Sequence, residues 1–365
     1  MTASARPRAT PRLARIVNRL RTGVQTLHRR TAPPQIAMLE LLMSGWLSQA
    51  VHAAARLGIA DQLAGGPREV DDLARAVGAN PDALRRLLRA LAQHGVFRLR
   101  RDGRFAQSPL SETLRREAPG GSVRGFALYQ GHAEHRAHWS SLDRAVESGE
   151  PVVPAMRGAP FFEFMQRSPA FARVFNEAMT SVSDLAEPHV LAAYDFAPYA
   201  TIVDVGGGHG RLLAGILARA PHARGLLYDL PEVISGAGAT LGSLGVGARC
   251  DIEAGSFFER VPRGGDAYVL KHIVHDWDDT RAAQVLQRVR EAIGHAGRLV
   301  LIESIVPEGP APHMAKLLDL EMLVNVGGKE RTHAEYAKLL AATGFAITRV
   351  VETATPLSII EARPA

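Results

Sequence analysis

Two stretches of the chain hold most of the residues that could do chemistry. Thr201-Ile202-Val203-Asp204-Val205 is an apolar, β-branched run that leads straight into Gly206-Gly207-Gly208-His209-Gly210, ahead of the helix-forming segment 211–220. Glycines at such a strand-to-helix turn let the backbone bend sharply and let a ligand come close to it. Dinucleotide enzymes space these glycines as G-x-G-x-x-G and seat a pyrophosphate on the helix N-terminus. Here the position required to be the third glycine is Arg211, and the glycines stand instead at 206, 208 and 210. The turn therefore reads as one with no pyrophosphate to hold. Asp229, 23 residues after Gly206, closes the next apolar run, where a carboxylate can accept hydrogen bonds from both hydroxyls of a ribose. An ordinary loop acid or helix cap before Pro231 is the plainer reading of Asp229, and its place at a strand end favours the ribose.

The second stretch is Leu270-Lys271-His272-Ile273-Val274-His275-Asp276-Trp277-Asp278-Asp279. Its histidines and carboxylates suit acid–base work. A metal cluster of His272, His275, Asp276, Asp278 and Asp279 is the rival reading, but the spacing matches no standard zinc pattern, and no metal is expected. A histidine at a strand-to-helix junction is also often only a cap or a satisfied polar group, and Trp277 reads as packing.

These stretches need a framework. From Ala200 onward, short β-branched runs alternate with helical segments: 201–205, 225–229, 249–252, 267–270, 298–303, 346–351 and 357–361. Alternation of this kind predicts a parallel sheet with helices on both faces and ligands beyond the carboxyl ends of its strands. Residues 38–116 instead repeat apolar residues at helical spacing, with breaks at Gly58, Gly65-Gly66 and Gly78. Within them, 70–78 and 80–88 read as two helices, the second capped by Asn80 with Pro81 at its first position. Val96–Leu99 and Arg104-Phe105, joined at Asp102-Gly103, then read as a hairpin, so the whole predicts a winged helix. Helices around 126–146 and 162–193 lead into the second half. The expected division is a tail at 1–33, an N-terminal domain at 34–120, a helical linker at 121–195 and a sheet-bearing domain at 196–365; the family resemblance given below implies that the linker contributes to a substrate pocket and that the last domain is catalytic.

A pI near 9.8 invites a nucleic-acid function. However, residues 1–33 hold eight arginines and no acid, so the remainder carries a formal charge of −2. Phosphate contacts dominate DNA affinity, and a slightly acidic body argues against DNA reading by Arg85, Arg86 and Arg89. In the tail, Leu13, Ile16, Val17, Leu20, Val24 and Leu27 recur at helical spacing, so it is either one amphipathic helix or a mobile segment. Arginine outnumbers lysine 39 to 4 throughout the chain, which makes the tail a compositional habit rather than an organellar address. A lone cysteine, Cys250, the lack of a secretory signal and the interruption of the apolar stretch 38–60 by Glu40, Gln49, His52 and Arg56 predict a soluble, cytoplasmic protein with no membrane or nucleic-acid partner.

Five ordered motifs, Asp204–Gly210, Tyr228-Asp229-Leu230-Pro231, Gly255-Ser256-Phe257-Phe258, Leu270–Asp279 and Gly327-Gly328-Lys329-Glu330-Arg331-Thr332, resemble the S-adenosylmethionine-dependent O-methyltransferases of plant phenylpropanoid and bacterial polyketide and antibiotic pathways. The resemblance covers about residues 38–361. It implies an α/β protein: a seven-strand Rossmann-like class I methyltransferase sheet behind an α-rich winged-helix domain through which two copies dimerise. It implies that Asp204, Gly206, Gly208, Asp229, Leu230, Ser256, Phe257 and Lys271 surround S-adenosylmethionine and its product S-adenosylhomocysteine. Plant relatives carry Asp at position 256; serine still accepts a hydrogen bond there, with weaker anchoring expected. His275 becomes the general base, oriented by Glu303 and Glu330, and no metal is involved. An aromatic small-molecule acceptor would meet Trp139, Phe162, Phe175, Asn176, Met179, Asp276, Met322 and Asn325, although aromatic and Met residues at helical spacing are more often core. The chemistry is consistent: a phenol with pKa near 10 must lose a proton to accept a methyl group. Related proteins recruited to hydroxylation form the alternative, and retention of His275, Glu303 and Glu330 argues against it.

Overall fold

Seven short apolar runs in the C-terminal half pair into one sheet. The computed structural model describes residues 11–365. After a small hairpin of β1 (Phe97–Leu99) and β2 (Phe105–Gln107), the sheet strands are β3 (Thr201–Val205), β4 (Arg224–Asp229), β5 (Cys250–Ala254), β6 (Ala267–Lys271), β7 (Arg298–Ser304), β8 (Phe345–Glu352) and β9 (Leu357–Pro364). Their order is β5-β4-β3-β6-β7-β9-β8. The first five are parallel, whereas β9 runs antiparallel to both β7 and β8. This corrects the expectation of a parallel sheet. Parallel neighbours need a crossover of about a dozen residues or more, and only residues 353–356 separate β8 from β9, so the chain can do no more than turn back.

The chain divides into two compact units, one of Arg144–Val153 and Ala186–Ala365 together with the stretch up to Thr22, the other of Gly23–Asp143 and Pro154–Leu185. In the first, the central strands are buried on both faces, as parallel strands must be. Ile202, Val269, Val300 and Ile302 face one apolar cluster, and Val203, Val205, Leu270, Leu299 and Leu301 face the other. The alternation along each strand thus feeds two cores, one per face, each closed by helices.

In the second unit, helices Val70–Val77 and Pro81–Gln93 precede the hairpin. Asn80 Oδ1 accepts from the Ala83 amide at 3.0 Å, the cap its position before Pro81 implies. The long helix Pro34–Leu57 buries only Ala54 and Ala55; Met38, Leu39, Leu42, Met43 and Trp46 lie exposed, Trp46 at 74%. The residues expected to form two helical runs form several shorter helices in 124–167, broken at Gly131 and Ser140, before one helix from Pro169 to Ala193. Of the tail, Pro11–Arg30 is a single helix whose Ile16, Val17, Leu20, Val24 and Leu27 are exposed; Arg6 and Arg8 lie outside the described residues.

Candidate active site

The strand order reverses at β3, with β4 and β5 on one side and β6 and β7 on the other. Sheets with such a reversal bind ligands in the crevice beyond the carboxyl ends of the strands that flank it. Asp204, Asp229, Lys271 and Glu303 all stand at those ends.

The glycine turn follows β3 directly. Gly206, Gly208 and Gly210 all have positive φ, at 70°, 60° and 76°. At Gly206 the demand is double, because a Cβ there would stand 2.4 Å from the Ile273 side chain. At Gly208 a Cβ would meet nothing within 4 Å, so this part of the turn faces open space. Asp229 braces the turn: its Oδ2 accepts from the Gly208 amide at 2.9 Å and its Oδ1 from the Leu230 amide at 2.7 Å. Burial raises its pKa against those two hydrogen bonds. Asp204 lies beneath the turn, fully buried, with Oδ2 lacking a hydrogen-bond partner. Burial, opposed by Lys271, pushes it up to about 7. Ser256 Oγ accepts from the Phe258 amide at 3.3 Å, and Phe257 packs on Phe258 and Trp277.

The second cluster surrounds His275, on a single 3-10 turn after β6. Its Nδ1 lies 2.7 Å from Glu330 Oε1. A carboxylate accepts from the ring, so Nδ1 keeps its proton in either state of the imidazole and Nε2 is the nitrogen that gains or loses one. Asp276 Oδ1 is 3.5 Å from that Nε2, and Glu303 Oε2 is 3.8 Å from Nδ1. Glu303 does more than flank the ring. Its Oε1 accepts from the Ile273 and Val274 amides, at 3.1 and 2.9 Å, so it also holds the turn on which His275 sits. Burial alone would lower the His275 pKa, but the charges of Glu303, Asp276 and Glu330 outweigh it and push it up to about 10. Burial lifts the acids in turn, Glu303 to about 7 and Asp276 to about 6, with His275 opposing. The imidazolium is thus strongly favoured, and an acceptor's proton delivered to this ring would be well held.

Two residues that organise the cluster escape sequence reading. Arg331 is 0% exposed. It donates four hydrogen bonds, from Nε to Asp279 Oδ1 at 2.9 Å, from Nη1 to the carbonyls of Val274 and Lys329 at 3.0 and 3.1 Å, and from Nη2 to that of Trp277 at 2.9 Å, and Nη2 forms an ion pair with Asp279 Oδ1 at 2.8 Å. It ties the turn before and after His275 to the segment that carries Glu330. Asp319 Oδ1 accepts from the Glu330 amide at 2.9 Å. Gly328 completes the join, since a Cβ there would be 2.1 Å from the His275 carbonyl oxygen, and the Lys329 amide donates to that same oxygen at 2.8 Å. The run Gly327–Thr332 pointed to this place, but only the fold shows that its arginine reaches back more than fifty residues.

The other expected residues fall into two groups. Asp276, Met322 and Asn325 belong to the sheet-bearing unit; Met322 and Asn325 are buried on the helix Ala315–Asn325, where Asn325 Nδ2 donates to the Glu321 carbonyl at 3.1 Å. Trp139, Phe162, Phe175, Asn176 and Met179 belong to the helical unit. There Phe175 lies 5.4 Å from Phe161 and 5.5 Å from Tyr129, within an aromatic cluster that also contains His138, Phe164 and Phe171. Phe162 and Met179 are exposed, and Trp139 lies 6.3 Å from His135. Asp278 caps the helix Asp279–Ala292, and Asp279 pairs with Arg331, so neither is free to act as imagined in a metal cluster.

Known proteins are similar to this chain in sequence and in fold. An O-methyltransferase domain matches residues 139–346, and an O-methyltransferase dimerisation domain matches residues 39–117. The phenazine O-methyltransferase PhzM of Lysobacter antibioticus is 41% identical over 91% of this chain and 97% of its own. The crystal structure of LaPhzM superposes with a TM-score of 0.85 at 40% identity, over 92% of this chain and all of that one. The O-methyltransferase NcsB1 from neocarzinostatin biosynthesis, solved with S-adenosylmethionine and 2-hydroxy-5-methyl naphthoic acid, gives a TM-score of 0.74 at 32% identity, over 87% of this chain and 96% of that one. The chain belongs to the O-methyltransferase family, and it is an enzyme. Among the described residues, no helix is long and apolar enough to cross a membrane.

Proposed function

We propose that this enzyme moves a methyl group from S-adenosylmethionine to a hydroxyl of an aromatic secondary metabolite, with His275 as the base that takes the hydroxyl proton. The observation that carries the reading is the hydrogen bond between His275 and Glu330, which fixes one tautomer at the crevice beside the glycine turn. The bound donor would supply an electrophilic sulfonium methyl, leaving as the thioether; the acceptor oxygen gains the methyl and its proton goes to Nε2 of His275.

The residues fit such a donor. Asp229 is held by two backbone amides with lone pairs to spare for a ribose diol, Gly208 leaves the turn open, and the unpartnered Asp204 Oδ2 sits under it beside Lys271. Gly206, Leu230, Ser256 and Phe257 would line the same space. On the acceptor side, Asp276 beside Nε2, with Met322 and Asn325, is proposed to meet the aromatic ring, as are Trp139, Phe162, Phe175, Asn176 and Met179 from the helical unit. Incubation with labelled S-adenosylmethionine and a panel of phenols, phenazines and polyketides should give a one-methyl mass gain on a hydroxyl. Tight NAD binding with no calorimetric response to S-adenosylhomocysteine would overturn the assignment.

The cluster's charge sets a pH dependence. Because the carboxylates raise the His275 pKa, the free base is a minor form at neutral pH, so turnover should climb as pH rises from 7 towards 9. Glu303→Gln keeps an oxygen for the Ile273 and Val274 amides but removes one negative charge. The acidic limb of the kcat profile should then move down by about one pH unit. An unmoved limb would mean that Glu303 acts only through the backbone.

We further propose a homodimer formed through residues 38–120, with the exposed Leu39, Leu42, Met43 and Trp46 of the helix Pro34–Leu57 buried against a second copy. A stripe of this kind is costly to leave in water. Light scattering should report a dimer at micromolar concentration, and Leu42→Glu combined with Trp46→Asp should yield a monomer. The single buried cysteine suits a reducing cytoplasm.

A further inference from the structure

One group near the base has no part in the reaction described. His272 lies three residues before His275, in the left-handed region at φ 55°, the only described residue other than glycine with positive φ. Its ring centroid is 4.9 Å from that of His275, and its buried Nδ1 has no hydrogen-bond partner. Glu303 Oε2, also buried, has none either. One ligand atom from each of His272, His275 and Glu303 lies within 4.8 Å of the others.

We propose that His272, His275 and Glu303 form a transition-metal site that captures Zn2+, and that the bound ion inhibits the enzyme. Two imidazoles and a carboxylate are a donor set that zinc accepts, at bond lengths of about 2.0–2.2 Å, with a fourth position left open. Tetrahedral bonds of that length separate ligand atoms by about 3.4 Å, so the side chains need close in by only about an ångström. Glu303 keeps its anchor throughout, since Oε1 holds the turn while the unpartnered Oε2 is the atom offered. Charge favours a dication as well, because Asp276 and Glu330 stand 3.5 and 2.7 Å from the His275 ring while Arg331 is engaged elsewhere. Mg2+ and Ca2+ prefer six or more oxygen ligands and are poorly served here.

Inhibition follows from either mode of binding. The Nδ1 of His275 is bonded to Glu330, and Nε2 is the nitrogen left to receive a proton. A metal on Nε2 occupies the base, and a metal on Nδ1 breaks the bond that orients it. The inhibition rests on His275 being the base; the binding does not, so the two can fail separately.

The test uses the full-length enzyme, titrated with zinc chloride by calorimetry and assayed for methyl transfer, and crystals grown with zinc and measured at the zinc edge. One ion per chain is expected, with an anomalous peak at bonding distance from all three residues, inhibition reversed by EDTA, and no inhibition by Mg2+. Asparagine tolerates positive φ and binds zinc poorly, so His272→Asn should keep basal turnover while losing zinc affinity by roughly 100-fold. Because the chain has 14 histidines, His222→Asn on the exposed surface serves as the control and should change nothing. An anomalous peak elsewhere, no zinc uptake, or equal inhibition of His272→Asn and the parent overturns the site. If the variant does not fold, the peak position in the parent decides. Zinc seated at the three residues with turnover undiminished overturns the inhibition.

Discussion

His275→Ala is expected to lower kcat by about 100-fold or more while leaving affinity for S-adenosylmethionine nearly unchanged. The ring is buried, follows β6 and is fixed by Glu330 at 2.7 Å, so the substitution removes the one proton acceptor that the site holds in a set orientation. Asp276 is the nearest candidate, but the neutral form that burial favours is no base, and without His275 it loses the partner that keeps it ionised. The loss should be smaller for acceptors of lower pKa, which ionise without help. Single-turnover measurement across substituted phenols would show this as a steeper dependence of rate on acceptor pKa in the variant. Near-normal turnover by His275→Ala on its best acceptor at neutral pH would leave proximity as the only driver of transfer.

Arg331→Met should cost about 3 kcal/mol or more of stability, and activity with it. The substitution preserves volume but removes every donor from the buried carbonyls of Val274, Trp277 and Lys329 and from one face of Asp279. Arg331→Lys is informative because it retains the charge. An ammonium offers three donors in the wrong arrangement for four separate partners, so it should recover part of the stability but little of kcat. Denaturant titrations and pH–rate profiles for both variants would separate the two effects. A loss of stability below about 0.5 kcal/mol for Arg331→Met would show that water replaces the lost donors and that the residue is not a clamp.

The sheet could be read from the sequence because its strands are short apolar runs with glycine or charge at each end, and β3 begins and ends where expected. The glycine turn was legible for a related reason, as glycine takes without strain the positive φ found at 206, 208 and 210. The antiparallel β9 was missed because apolar composition is blind to strand direction; the length of the connection at 353–356 held that information. Local spacing suggested Asp278 and Asp279 as neighbours of a metal, whereas the carboxylate that reaches His272 and His275 is Glu303, brought in by the adjacent strand. Arg331 was hidden in a motif, since what distinguishes a clamp from a surface charge is burial and convergence of partners, and neither is written locally.

The tight approach of Gly328 to His275 has a bearing on how this enzyme could change over time. Base, orienting acids, clamp and the close join at Gly328 all lie between Lys271 and Thr332, fastened by short backbone contacts that leave no room for adjustment. The residues proposed to meet the acceptor in the helical unit lie outside that interval. Drift there can exchange one aromatic substrate for another without retuning the proton chemistry. Laboratory efforts to redirect the enzyme should therefore randomise Phe162, Phe175 and Met179 and leave the interval from 271 to 332 untouched.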